Sequence, residues 1–211
     1  MHRRAIALSA FFGGAFLGTV LLFKTDPDDF VSLDSVASRV VAPFQTFTPS
    51  EFFIAVTTLG GTLGIALVTL LVIFHIRTQK TLGARLLFAS LASGLSVYAG
   101  KELIARVRPS GLPWLTQLHS YSFPSGHTAA TTTLYGFIAL LVYFRVRNTV
   151  LRNALLALLV LVVLGVGMSR VVLEAHYGSD VLAGFFLGAF SLSLFFCYPL
   201  TRKEKAYLKL K

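Results

Sequence analysis

The sequence predicts an all-α integral membrane bundle of six transmembrane helices with both termini in the cytoplasm. Three observations carry that expectation. Of 211 residues, 55% are hydrophobic and only 13% charged, with a mean hydropathy of +0.74. A soluble domain of this length would carry roughly a quarter charged residues. The apolar residues gather in long uncharged runs of membrane-spanning length. Thirteen of the nineteen Lys and Arg residues fall on the side that holds both termini, at positions 3, 4, 77, 80, 85, 145, 147, 152, 202, 203, 205, 209 and 211. Basic residues flanking spans are retained in the cytoplasm. Residues 1–211 read as a single membrane-embedded domain.

The first span runs from Ala5 to Phe23, about 19 residues after His2-Arg3-Arg4. It is long for the apolar core of a signal peptide and has no small-x-small cleavage site before Lys24, so a retained span is expected. Lys24 to Glu51 is a polar connection with Pro27, Pro43, Pro49 and five acidic residues; within it Val31 to Val41 fits a short amphipathic interfacial helix. Phe52 to Ile76 is the second span, and its Gly60, Gly61 and Gly64 suit close helix packing, within one bundle or between protomers. Arg77 to Arg85 is expected as a basic turn. The third span runs from about Leu86 to Lys101 or a little beyond, because Pro109 disfavours helix at Arg108. Residues 110–126 form a loop in which Trp114 and Tyr121 suit a membrane–water interface. His127 to Phe144, Asn153 to Met168 and Val181 to Leu200 complete the six spans, and the tail TRKEKAYLKLK is basic.

The net charge of +10 does not indicate nucleic-acid binding, which needs a basic face on a soluble module. Here the basic residues flank apolar runs and suit the bilayer and anionic headgroups. The single cysteine, Cys197, cannot form an intrachain disulfide. No internal repeat suggests an inverted-repeat transporter.

Three polar islands interrupt this pattern, all on the extracytoplasmic side of the predicted topology: Lys101–Pro109 (KELIARVRP), Ser122–His127 (SFPSGH) and Ser169–Asp180 (SRVVLEAHYGSD). Their basic residues go against the orientation bias, so something else retains them. Ionisable groups at a span's edge cost several kcal/mol unless paired or hydrated. Lys101 and Arg108 stand seven residues apart, two helical turns, and can share a face around an anion. They also fit snorkelling to headgroups, the role expected of Arg106. Pro124-Ser125-Gly126-His127 offers a phosphate cradle of backbone N–H groups at a helix N-terminus, or simply an N-cap turn. Ser169 and Arg170 close one span. At i,i+4 from His176, Asp180 can fix the histidine's tautomer, or merely complement the helix dipole. Two histidines and an aspartate also permit a metal, but the surrounding Lys and Arg repel a cation and no paired-histidine motif is present.

Taken together, KxxxxxxRP, PSGH and SRxxxxxHxxxD, in that order and each at a membrane edge, resemble the type 2 phosphatidic acid phosphatase superfamily of membrane lipid phosphatases. They also resemble the phosphate pocket of vanadium haloperoxidases and glucose-6-phosphatase-like enzymes. The resemblance covers most of the chain. Glu174 departs from it, since a small residue often stands near that position. The resemblance implies that His176 attacks phosphorus to form a phosphohistidine, that Asp180 orients it, and that His127 protonates the leaving oxygen. It implies that Lys101, Arg108, Ser125, Gly126 and Arg170 hold the phosphate, with Ser169 secondary and no metal or other cofactor needed. His176 must then be neutral while His127 is protonated. The implied substrate is a phosphorylated membrane lipid: a polyprenyl diphosphate, then phosphatidylglycerol phosphate, then phosphatidic acid or a lipid A-type glycolipid. A phosphatase or phosphotransferase for another phosphate compound, or a non-catalytic lipid binder or transporter, is the alternative.

Overall fold

A computed structural model of the chain describes residues 2–47, 50–109, 120–197 and 199–210, and helix dominates them. No strand occurs among the described residues. The helices are α1 (His2–Thr25), α2 (Pro27–Phe47), α3 (Ser50–Thr58), α4 (Thr62–His75), α5 (Lys80–Ile104), α6 (Gly126–Arg145), α7 (Thr149–Val172), α8 (Gly178–Ser193) and α9 (Arg202–Tyr207), with a 3-10 turn at Leu194–Phe196. By length and apolar composition five of them can cross a membrane, and α3 with α4 make a sixth if the pair is one span. Leu63 and Val150 are 87% and 80% exposed, and many other large apolar side chains face outward with them. Such a belt is unsustainable in water and natural in hydrocarbon.

The expected second span is broken. α3 and α4 meet at a bend of 42° across Leu59–Gly61. A Cβ on Gly60 would lie 2.5 Å from Thr131 Oγ1 and 2.6 Å from Val166 Cγ1, so only glycine lets the break nest against α6 and α7. Tyr135 donates its hydroxyl to the Leu59 carbonyl (3.2 Å), a backbone acceptor that the break frees.

The Lys24–Glu51 connection is more ordered than expected, because α2 extends well beyond Val31–Val41. Pro27 is preset for a first helical position, and Asp28 and Asp29 complement the dipole there. One face of α2 buries Phe30, Asp34 and Val41 against α7 and α8, while Val31, Val36 and Val40 are at least half exposed. The amphipathic reading therefore holds over a longer helix. The basic turn is also shorter than Arg77–Arg85, since α5 already begins at Lys80. Pro49, Pro113 and Trp114 lie outside the described residues.

α6 and α8 form the closest-packed pair. A Cβ on Gly184 or Gly188 would lie 2.5 Å from the carbonyl of Ser125 or Ala129 respectively. This small-xxx-small face brings the two backbones together and sets the N-terminal ends of both helices side by side. At the far end α9 folds back onto the bundle. Glu204 is fully buried and accepts from Arg85 (2.8 Å) and from the Thr201 N–H (2.7 Å). Arg85 also donates to the carbonyls of Phe195 (2.7 Å) and Pro199 (2.8 Å).

Candidate active site

The C-terminal ends of α5 and α7 and the N-terminal ends of α6 and α8 converge, and the three polar islands meet there. Ser122 donates to Asp180 Oδ2 at 2.5 Å. The Ser125 N–H donates to the Asp180 carbonyl at 3.0 Å. Lys101 Nζ donates to the Tyr121 carbonyl. Arg108 Nη1 lies 3.2 Å from His176 Nε2.

Lys101 and Arg108 reach this cluster by a route the spacing did not foresee. They do not share a helical face, because α5 ends at Ile104. Ala105 adopts a left-handed conformation (φ 49°), with its N–H on the Lys101 carbonyl, and the chain leaves the helix. Pro109 explains why helix does not resume before Arg108. The Arg108 fork holds Ser120 O (2.8 Å), Ser120 Oγ (3.0 Å) and Ala175 O (2.7 Å).

His176 and Asp180 form the centre. His176 is 3% exposed and Asp180 fully buried. The Nδ1 of His176 is 3.5 Å from Asp180 Oδ2 and 3.3 Å from Ser122 Oγ. The tautomer follows from these neighbours. Arg108 can only donate, so Nε2 accepts from it and carries no proton. The ring proton then sits on Nδ1, facing Asp180 Oδ2 and the Ser122 oxygen. Burial pulls the His176 pKa down to about 4, opposed by Asp180 and reinforced by Arg108 and Arg170. The ring is therefore neutral near pH 7, with an unprotonated Nε2 whose lone pair accepts from Arg108.

His127 is the second residue of α6 and is half-buried. Its Nε2 would stand 3.7 Å from a Cβ on Gly61, so the α3–α4 break forms one wall beside it. Arg170, His176, Arg108 and Lys101 all act on its ring electrostatically. An imidazolium at this position would draw its counter-charge from an arriving anion. Ser125 is the N-cap of α6, fully buried, with its Oγ accepting from Thr128 Oγ1 at 3.0 Å. Gly126 and His127 open the helix, where backbone N–H groups have no intrahelical partner. The cap-turn reading of PSGH is thus realised for the Ser125 side chain, and the neighbouring helix N-terminus suits an anion.

Arg170 is buried and donates to Thr57 Oγ1 of α3 at 2.7 Å. Its Nε is buried without a hydrogen-bond partner among the described residues. A guanidinium held this way beside Lys101 and Arg108 suits a polyanion. Ser169 turns back to the Val166 carbonyl (2.7 Å) within its own helix. Glu174 is exposed, in a left-handed conformation (φ 52°), with Oε1 3.4 Å from Gln45 Nε2. Among the described residues no three His, Cys, Asp or Glu side chains gather as a metal-ligand set.

Three residues were not foreseen. Arg106, expected to snorkel, is instead drawn inward. It donates to Ser179 Oγ (2.7 Å), Asp180 Oδ1 (2.7 Å) and Asp34 Oδ2, and its guanidinium lies 3.9 Å from the Tyr177 ring centre. Two buried carboxylates outbid the headgroups for it. Asp34 on α2 was merely one acid among five in a connection. Ser122 bounded an island without a role. The only advance signal for Arg106 was its place among cations that defy the orientation bias.

The PAP2 superfamily model matches residues 82–204, which include all three islands and both histidines. The chain belongs to the PAP2 superfamily. Among PAP2 relatives it is 40% identical over 100 residues to phosphatidylglycerophosphatase B of Bacillus subtilis, covering 46% of each chain. It is 36% identical over 121 residues to a lipid A 1-phosphatase of Rhizobium johnstonii, covering 53% of this chain and 46% of that one. The matches span about half the length of these curated relatives. A crystal structure described as the first transmembrane PAP2-type phosphatidylglycerolphosphate phosphatase, from Bacillus subtilis, superposes with a TM-score of 0.69 at 27% identity. That likeness covers 92% of this chain and 94% of the other.

Proposed function

We propose that this PAP2 protein is a metal-independent phosphatase of phosphorylated membrane lipids, with residues 1–211 acting as one membrane-embedded domain. The observation that carries the proposal is the His176 ring. It is buried and neutral, with Nδ1 turned to Asp180 and Nε2 turned to the cations of the pocket. Nε2 attacks phosphorus, the bond to the headgroup or leaving phosphate oxygen breaks, and His127 gives that oxygen a proton. Water, deprotonated by His127, then attacks the phosphohistidine, and inorganic phosphate leaves with His176 neutral again. Lys101, Arg108, Arg170 and the N–H groups of Gly126 and His127 stabilise the equatorial oxygens, so neither metal nor cofactor is required. The Arg108 fork exchanges its carbonyl acceptors and the His176 Nε2 for phosphate oxygens, which releases the Nε2 lone pair for attack. Ser125 contributes mainly by capping α6 and shaping that turn.

The substrate is a lipid, because the site lies where four spans end and a lipid can present its headgroup there with its tail still in the bilayer. The names of the relatives favour phosphatidylglycerophosphate first, ahead of the polyprenyl diphosphate that the family resemblance put first. A lipid A-type phosphate is the second reading, on the strength of the Rhizobium relative. The Lys and Arg bias supports cytoplasmic termini and an extracytoplasmic site in the cell membrane.

The test is phosphate release from a panel of these lipids in detergent with excess chelator, comparing wild type with His176→Ala. We expect release by wild type, loss in the variant, inhibition by vanadate and a bell-shaped pH profile. Loss of wild-type activity in chelator that magnesium restores would contradict the metal-free reaction. Equal release by both proteins would remove His176 as nucleophile.

A further inference from the structure

We propose that Arg106 and Asp34 are positioning residues for the His176–Asp180 pair, forming a clamp that fixes the Asp180 carboxylate and sets the net charge behind the histidine. The proposal rests on the reading of His176 as the nucleophile.

The two oxygens of Asp180 have separate duties. Oδ2 accepts from Ser122 and from the Tyr177 N–H (3.0 Å), and it faces the His176 ring. Oδ1 accepts from Arg106 Nη1. The same Nη1 holds Ser179 Oγ, while Nη2 reaches Asp34 Oδ2. The loop closes through Asp34 Oδ1, which accepts the Ser179 N–H at 2.9 Å. Asp34 therefore grips both Arg106 and the first turn of α8, the turn that carries Asp180. Aromatic rings fix the guanidinium plane as well, at 3.9 Å for Tyr177, 5.2 Å for Phe23 and 5.7 Å for Phe30. Asp34 is 7% exposed, and the Arg106 side chain 11%.

The charge arithmetic gives Asp34 its purpose. Attack through Nε2 with the proton kept on Nδ1 leaves a cationic ring, which the negative charge of Asp180 stabilises. Arg106 alone would cancel that charge. Asp34 restores it, so Asp34, Arg106 and Asp180 together carry one net negative charge behind the ring. Arg106 then orients Asp180 without removing its pull. Carboxylates that orient metal-bound histidines alter activity about 10- to 100-fold, and the same scale is expected for a group that orients Asp180 behind His176.

The experiment measures kcat, KM and thermal midpoint for Asp34→Asn, Arg106→Met, their double variant, Asp34→Glu and Arg106→Lys, beside His176→Ala. The substrate is phosphatidylglycerophosphate in detergent, or whichever panel lipid wild type turns over fastest. We expect Asp34→Asn to lower kcat about 10- to 100-fold with KM within about twofold. In the Arg106→Met background the same change should cost less than about threefold, because the pair acts as a unit. The charge-preserving variants should recover part of the loss. Wild-type kcat in Asp34→Asn with an inactive His176→Ala overturns the clamp and leaves the nucleophile standing. Full activity in His176→Ala overturns the nucleophile itself. If activity in all five clamp variants follows the amount of folded protein, with kcat per folded molecule unchanged, the role is structural and the proposal fails.

Discussion

Two arginine–carboxylate clusters sit at opposite ends of this bundle. At one end Arg85 holds Glu204, and at the other Arg106 holds Asp180 and Asp34. Both bury an acid completely, Glu204 in one and Asp180 in the other. Glu204 also accepts from the Thr201 N–H, and Arg85 also donates to the Phe195 and Pro199 carbonyls, which fastens α9 to the chain around the 3-10 turn. Among the described residues Glu204 is held by Arg85 and Thr201, neither of which titrates near neutral pH. Around Asp180 one acceptor position faces a neutral histidine whose other nitrogen looks into a cationic pocket. The same physics thus ties down α9 in one place and in the other holds His176 in one tautomer. Burying an ion pair is weak evidence of stabilisation by itself; what the acid's spare lone pairs face tells the two uses apart.

The largest expected effect separates them by activity. Asp180→Asn removes the carboxylate that holds the Nδ1 proton and one partner of the buried Arg106 ion pair, so kcat per folded molecule should fall by about 10³- to 10⁴-fold, beside a stability loss of about 3 kcal/mol. A loss under tenfold would put the tautomer under other control. Glu204→Ala should cost stability alone. It removes the Glu204 carboxylate from Arg85, costs about 3 kcal/mol in denaturant melts, and leaves kcat of the folded protein at low temperature unchanged.

Acid should then undo the two ends in different windows. His176 has a folded pKa of about 4 against an unfolded value near 6.5. Between those values the unfolded state binds the extra proton, so stability falls as pH drops from about 6.5 to 4, by about 3 kcal/mol for this group. His176→Gln should reduce that slope by one proton. Burial raises the Glu204 carboxyl, but the Thr201 and Arg85 hydrogen bonds outweigh it and hold the pKa below the usual 4.5. The tail clamp therefore weakens only as pH falls below about 4.5. Hydrogen exchange of α9 and α8 followed against pH would show whether the site loosens first. The smallest effect is local. Glu174→Gly relieves a left-handed backbone and should stabilise by about 0.5 to 1 kcal/mol, with kcat unaltered.

The sequence carried the site where its partners are close in the chain or where a motif repeats a known spacing. His176 and Asp180 are one helical turn apart, and PSGH sits at the start of its helix as read. The multi-span helical architecture followed from run length and charge. Bends and long-range partners were not legible. The α3–α4 break depends on how Gly60 meets Thr131 and Val166, more than 70 residues away. The route of Arg108 into the site depends on a left-handed Ala105, which has no strong local signature. Asp34 and Arg106 are 72 residues apart, and Arg85 and Glu204 are 119 apart. Nothing near Asp34 marks it among the several acids of its connection, and nothing near Glu204, the one acid after Asp180, points to Arg85.

The central claim is that Nε2 of His176 becomes bonded to phosphorus. Rapid quench of the enzyme with lipid carrying a radiolabelled phosphate, followed by denaturation at alkaline pH, tests it directly. The account predicts acid-labile, base-stable label on His176, up to one per chain, formed at least as fast as phosphate is released and absent from His176→Ala. Steady phosphate release from wild type with no trapped label on His176, or label that persists in His176→Ala, would contradict it.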